Sequence, residues 1–225
     1  MVRFIRGRRV SLNNSDKFYI IGGIREGAAS VSAEVIDPSG AVKKLRMTKK
    51  LWERYAYSSG DTVTPEVFGM MLSDSERCEA VTRALGYLKA APLSYRALHM
   101  KLKSAGCSDE AADAALALVR KKRLIDEETQ AADIAESQVR RNKRGRGRVV
   151  AYLQSKGYST EISRRGADSV DDELYRDALR DAIAKKCRGG VPRDKAQRDK
   201  LIASLVRQGF SVGEIIKEMN TSEDD

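Results

Sequence analysis

The sequence predicts a mainly α protein built from three tandem three-helix modules, with a small antiparallel β segment at the N-terminus. Three observations carry that reading. A phrase of the form Leu-x-x-x-Gly-(Cys, Tyr or Phe)-Ser occurs three times, as Leu102 to Ser108, Leu153 to Ser159 and Leu205 to Ser211, with its glycines 51 and 52 residues apart. Each copy ends an i, i+4 apolar pair: Leu98 with Leu102, Val149 with Leu153, Leu201 with Leu205. Between residues 18 and 47, by contrast, short apolar runs flank turn residues. A fixed internal period means one small unit used repeatedly, and tandem copies of such a unit present an extended binding surface.

The organisation follows in chain order. Residues 1–15 are basic and polar and are expected to be mobile. Residues 16–75 form a small α+β segment. Phe18 to Ile21 is a short apolar run before Gly22-Gly23, and Val31, Ala33 and Val35 alternate with polar neighbours. Asp37-Pro38-Ser39-Gly40 is a strong turn, and Val42, Leu45 and Met47 make the return strand. Helical patterning starts near Thr48 with Leu51, Trp52 and Tyr55. Thr64-Pro65-Glu66 opens a short helix with Pro in its first position. A sheet this small has to pack on neighbouring helices.

Modules occupy 76–125, 126–168 and 169–225, the last with an acidic tail. Their first helices are expected at 76–90, 127–141 and 170–187, with Asp126 and Ser169 as N-caps of the later two. Second helices end at Gly106, Gly157 and Gly209. Third helices start at the following Ser and run to about 122, 167 and 219. The repeated phrase explains both events. Glycine at the position after the helix takes positive φ at no steric cost, and a Schellman cap then brings Leu102, Leu153 or Leu205 onto the residue after glycine. The Ser that follows is a good N-cap, and Ser211 with Glu214 has capping-box spacing, Phe210 and Ile215 forming its staple.

Composition narrows the function classes. Forty-two basic residues against 32 acidic give a net charge of +10, which favours polyanionic partners. Cys78, Cys107 and Cys187 are too far apart for a zinc knuckle or a Cys-x-x-Cys pair and are expected to be reduced thiols. Met1 to Arg6 holds no apolar signal-peptide core and no stretch is long enough to span a membrane, so a cytoplasmic protein is expected. There is no P-loop, and Gly22, Gly23 and Gly27 do not space as a dinucleotide fingerprint. His99 stands alone, without a second His for a metal pair or relay. The acidic clusters Asp126-Glu127-Glu128 and Asp171-Asp172-Glu173 lie at helix starts, where carboxylates favour the dipole, and are read as caps. No enzyme, cofactor or metal is expected.

The candidate site is basic. Residues 139–148 carry Arg140, Arg141, Lys143, Arg144, Arg146 and Arg148 and no acid, at the junction of the first and second helices of the second module. Lys185, Lys186, Arg188, Arg193, Lys195 and Arg198 hold the equivalent junction of the third module, diluted by Asp194 and Asp199. Such runs are either solvated faces with cations at helix ends or phosphate contacts. Lys121-Lys122-Arg123 is read as the former. For 140–148 phosphate binding is preferred, because six uncompensated charges repel without an anion and Gly145 and Gly147 allow close backbone approach. No aromatic residue interleaves with the run, so contact there is expected to be electrostatic and indifferent to base sequence.

The residues Ala84-Leu85, Leu88, Ser94 to Leu102, Gly106, Leu124-Ile125-Asp126-Glu127, Gly145 and Gly147 before Val149, Leu153, Lys156-Gly157-Tyr158 and Gly209-Phe210 together resemble the RecX family of bacterial recombination regulators. The resemblance covers about residues 60–220 and is strongest over 80–160. It implies a curved, elongated array of three-helix modules. It also implies a role in homologous recombination, DNA repair and the SOS response: binding along the groove of the RecA–DNA filament and restraining RecA's ATPase, strand exchange and coprotease activities. The partners are then RecA and DNA, the latter held electrostatically, and the chain acts as a monomer. The alternatives are a helix-turn-helix DNA-binding protein of transcription-factor type, a pure protein scaffold, and a hidden enzyme. The third helix of the first module, Ala-rich and acidic at its start, argues against a recognition helix.

Overall fold

The structure is a computed structural model that describes residues 3–5, 8–10, 18–187, 192 and 194–221. Within the basic N-terminal segment, β1 (Arg3–Ile5) and β2 (Arg8–Val10) pair antiparallel; the rest of that segment lies outside the described residues. So do Arg188, Arg193 and the acidic tail from 222 on. The protein is mainly α, with ten helices among the described residues and a small antiparallel sheet near the N-terminus. It packs as two compact units, Met1–Gly86 with Lys101–Leu118, and Tyr87–Met100 with Val119–Asp225.

In the first unit, β3 (Tyr19–Glu26), β4 (Ser30–Ile36), β5 (Val42–Thr48) and β6 (Thr62–Val63) form a sheet in the order β5-β4-β3-β6. Alternation places Val31, Ala33 and Val35 of β4, with Leu45 and Met47 of β5, on one buried face beside Trp52 and Met71. The Asp37 carboxylate makes the β4–β5 turn by accepting from the Ser39 and Ala41 amides. A register shift falls between Ile21 and Ile24, at the two glycines. The pairing of β6 with Tyr19 and Ile20 has no sequence signal, since two residues cannot show a period.

α1 (Lys49–Tyr55) and α2 (Pro65–Ala90) cover the sheet. Thr48 caps α1 by accepting from Leu51 N–H. α2 replaces the two helices expected over 65–90. It is one helix of 26 residues, because no proline interrupts it before Pro92 and the surface glycines Gly69 and Gly86 weaken a helix without stopping it. Ser75 on α2 accepts the otherwise unpaired Arg46 amide of edge strand β5 at 2.8 Å. The Tyr55 hydroxyl donates to Asp74 at 2.8 Å. Burial, then this carboxylate, pushes that phenol well above its ordinary range.

The remaining helices are α3 (Tyr95–Ser104), α4 (Asp109–Lys121), α5 (Glu127–Asn142), α6 (Arg146–Ser155), α7 (Thr160–Asp168), α8 (Asp172–Lys186), α9 (Lys195–Arg207) and α10 (Val212–Thr221). α3, α6 and α9 each end in the same cap. Gly106, Gly157 and Gly209 have φ of 83°, 90° and 96°. The following amides of Cys107, Tyr158 and Phe210 donate to Leu102, Leu153 and Leu205 at 3.1, 3.2 and 3.3 Å. The glycine amides donate to Lys103, Gln154 and Val206, each at 2.9 Å. These are the two bonds of a Schellman motif. Ser108, Ser159 and Ser211 then cap α4, α7 and α10, and the Ser211 amide donates to Glu214 to close the capping box. A further cap of this kind ends α4 without glycine, Arg123 taking φ 50° while Leu124 donates to Val119.

The expected N-cap Ser169 is displaced by Asp171, whose carboxylate accepts from Glu173 N–H. Ser169 instead closes α7, its amide donating to Arg165 and its hydroxyl to Gly166. The core of the second unit runs through Val139, Val149, Leu153, Tyr158, Leu179, Leu205, Phe210 and Ile215.

Consecutive modules are joined by reusing the glycine turns. The Gly157 turn sits on the start of α3, where Ser94 caps Ala97 N–H and donates to Lys156 O at 2.9 Å. A Cβ at Gly157 would lie 2.7 Å from Ser94 Oγ. The Gly209 turn sits on the start of α6 in the same way. Gly145 N–H donates to Gln208 O at 2.9 Å and Gly147 N–H to Gly209 O at 3.0 Å. A Cβ at Gly145 would collide with the Gly209 and Phe210 backbone, and one at Gly209 with Arg148 N. Gly145 and Gly147 do permit close backbone approach, but the backbone that approaches is the protein's own. Their amides are already used and cannot cradle a phosphate.

Candidate nucleic-acid interface

α5 ends at Lys143 in the left-handed region, with φ 50° and its amide bonded to Val139 O. Gly145 then opens α6. This reversal splays the six cations of 140–148 in different directions. Arg141, Lys143, Arg144 and Arg148 line one cleft of about 910 Å³ together with Lys185 and Lys186 from the end of α8. Two basic runs roughly 40 residues apart in sequence therefore share a wall in space. Arg207, at the end of α9, completes it. Arg207 carries no separate signal in the sequence, because it lies inside the repeated phrase, whose capping pattern accounts for its neighbours.

The cleft holds seven cations and one carboxylate, Asp181, whose Oδ2 is 2.7 Å from Lys143 Nζ. Arg141, Arg144, Arg148, Lys185, Lys186 and Arg207 form no ion pair with any described residue. Three helix C-termini, those of α5, α8 and α9, supply cations here, and their dipoles help to hold positive charge in place.

Two predicted members stand elsewhere. Arg140 pairs with Glu136 one turn back, at 2.7 Å. Arg146 turns away and ties the module joint together. It bonds Asp168 at 2.7 Å, Asp172 at 2.6 Å and Ala167 O at 3.1 Å, with its guanidinium 4.6 Å from the centre of the Tyr175 ring. Burial opposes its charge, but the Asp168 hydrogen bond and the surrounding carboxylates outweigh that and hold it above its ordinary range. The six charges of 140–148 are thus not all uncompensated: Arg140 has a carboxylate one helical turn back, and Lys143 and Arg146 have carboxylate partners distant in sequence.

Nor is the surface without an aromatic residue. Tyr152, one turn after Arg148 on α6, has the Arg144 guanidinium 4.8 Å and Lys156 Nζ 5.2 Å from its ring centre. It lines a hollow with Arg144, Arg148, Ala151 and Ser155 that shares both arginines with the cleft.

The acidic clusters cap their own helices and also hold neighbouring elements. Asp126 caps α5 through Thr129, and Glu127 accepts from Tyr95 N–H at 2.8 Å. Among the described residues no group of three or more His, Cys, Asp or Glu is arranged to hold a metal, and no helix is long and apolar enough to cross a membrane.

Comparison with known proteins places the chain. No protein-family model matches it. It is 34% identical over 148 residues to a Regulatory protein RecX of Stenotrophomonas maltophilia (strain R551-3), covering 64% of this chain and 88% of that relative. The chain belongs to the RecX family. A second Regulatory protein RecX, from Prosthecochloris aestuarii (strain DSM 271 / SK 413), is 28% identical over 139 residues, or 62% of this chain and 90% of its own. A crystal structure of regulatory protein RecX superposes with a TM-score of 0.71 at 16% identity, covering 90% of this chain and 99% of that one. RecX from Lactobacillus salivarius gives 0.57 at 19% identity, over 65% and 97%. At these identities the two structures establish a shared RecX fold, and the family is one of regulatory proteins.

Proposed function

We propose that this RecX-family chain is a non-enzymatic regulator that binds the RecA–DNA filament and restrains RecA's ATPase, strand exchange and coprotease activities. The observation that carries the site is the convergence of Arg141, Arg144, Arg148, Lys185, Lys186 and Arg207 on one cleft, none of them ion-paired with a described residue. Such a surface takes a polyanion, and phosphates of the filament's DNA are the polyanion the family role supplies. Repeated modules engage a filament at several points, so individually weak contacts give high occupancy. Differential affinity for filament states is enough to slow growth or favour disassembly, without catalysis and without a cofactor. The protein works as a cytoplasmic monomer in this reading.

The test is the single-stranded-DNA-dependent ATPase of RecA, titrated with this protein far below the RecA concentration. Substoichiometric inhibition is expected, and Arg141→Glu with Arg148→Glu and Lys185→Glu should abolish it. Each reversed cation should also flatten the log K against log salt slope by about 0.7 to 0.9. No effect on RecA, together with sequence-selective binding to bare duplex, would refute the proposal.

A further inference from the structure

We infer that Tyr152 is a base-stacking platform at the mouth of the basic cleft, which makes this site selective for single-stranded nucleic acid over duplex. The inference rests on the polyanion-binding reading above and goes beyond it, because phosphate contacts alone do not distinguish strands.

Four observations carry it. Tyr152 is half-buried, so its ring is held by the helix yet reachable. Its hollow is lined by Arg144 and Arg148, which also line the cleft, so a backbone following those arginines passes beside the ring. The ring is flanked by two cations, Arg144 at 4.8 Å and Lys156 at 5.2 Å. Neither cation has an ion pair with a described residue, so both can turn onto phosphates when a base takes the ring face. A basic groove with an aromatic ring beside it is the arrangement by which single strands are held without sequence preference. An exposed cation over a ring is a weaker contact than a base stacked on it, so the exchange favours the base. Duplex bases stay paired and stacked on one another and cannot reach the ring.

The test compares the full-length protein with Tyr152→Leu and Tyr152→Phe on three probes: oligo(dT), an abasic oligonucleotide of the same length, and a duplex. Tyr152→Leu should weaken oligo(dT) binding by about tenfold, the scale of one lost stacking contact. Its affinity for the abasic strand and the duplex, and its salt slope, should match wild type. Tyr152→Phe should retain oligo(dT) affinity. Equal losses on all three probes, or no loss on oligo(dT), would overturn the inference. The charge-reversal variants separate the two levels. If reversal at Arg141 and Arg148 abolishes binding while Tyr152→Leu is neutral, stacking alone is wrong. If reversal leaves binding to every probe intact, the cleft itself is wrong and the stacking proposal goes with it.

Discussion

Replacing Gly209 by alanine tests what the repeated glycines are for. Gly106, Gly157 and Gly209 share positive φ, so alanine at each meets the left-handed penalty of about 1–2 kcal/mol, partly offset by about 0.4–1 kcal/mol from a less flexible unfolded chain. Their surroundings differ. A Cβ at Gly106 meets nothing, one at Gly157 meets Ser94 Oγ at 2.7 Å, and one at Gly209 runs into Arg148 N and Gly145 O. A side chain can turn aside, whereas two helix termini cannot. Forcing an extra methyl into a packed contact costs about 1–3 kcal/mol more. The expected order is Gly106→Ala at about 1 kcal/mol, then Gly157→Ala, then Gly209→Ala at about 2–4 kcal/mol.

Gly145→Ala separates the two contributions, because Gly145 has an ordinary φ of −73° and carries only the collision. It should cost about 1–3 kcal/mol. The double variant Gly145→Ala with Gly209→Ala should cost less than the sum, since both open one contact. Urea unfolding followed by far-UV circular dichroism measures all five. Fluorescence of the single tryptophan, Trp52, reports the first unit separately. A Gly106→Ala cost equal to that of Gly209→Ala, or a neutral Gly145→Ala, would refute the claim that the module joint requires glycine.

Other predictions follow from the same geometry. Arg146→Gln should lower stability by about 1–2 kcal/mol, because its ion pairs are partly solvated, yet leave the salt slope of nucleic-acid binding unchanged; a slope flattened by about one would return Arg146 to the cleft. Asp126 should make an acid-dependent contribution. The Thr129 hydroxyl, then the Thr129 amide, hold its carboxyl below the ordinary carboxylate range. Its contribution is therefore present above the unfolded pKa of about 4 and lost as pH falls through the lower folded value. Asp126→Asn should keep the cap while removing that part of the acid limb in unfolding measured from pH 6 downward; an unchanged limb would refute it.

What the sequence made legible is mostly local. The three glycine caps, the Ser N-caps and the Asp37 turn are decided by a few adjacent residues, and residue type nearly dictates backbone conformation at each. Legibility stops where conformation is imposed from outside. Arg123 and Lys143 take positive φ without being glycine, which neighbouring sequence does not announce. α2 stays whole because surface glycines weaken a helix without stopping it. The site shows the same limit: charge and spacing found 140–148 and 185–186, but not that Arg141 and Lys186 share a cleft while Arg146 faces away. That depends on the left-handed reversal at Lys143, which sets which cations point together.

The joint and the cleft are therefore one construction. The Gly209 turn locks onto Gly145, and the residues on either side of that contact, Arg207 and Gln208 at the end of α9 and Arg144 and Arg148 around the start of α6, line the cleft. The common direction of the cations is expected to depend on this backbone contact, which has no room for a side chain, as well as on the reversal at Lys143. A wedge at that contact should then act on binding as well as on stability. Gly145→Ala, studied below its melting transition, removes no charge, so the net charge is unchanged. If the cleft works as a shaped surface, the salt slope should fall because fewer cations reach the phosphates together. If the slope stays at its wild-type value while stability drops, the cations act as an unshaped cloud of charge, and the convergence of the two basic runs has no functional weight.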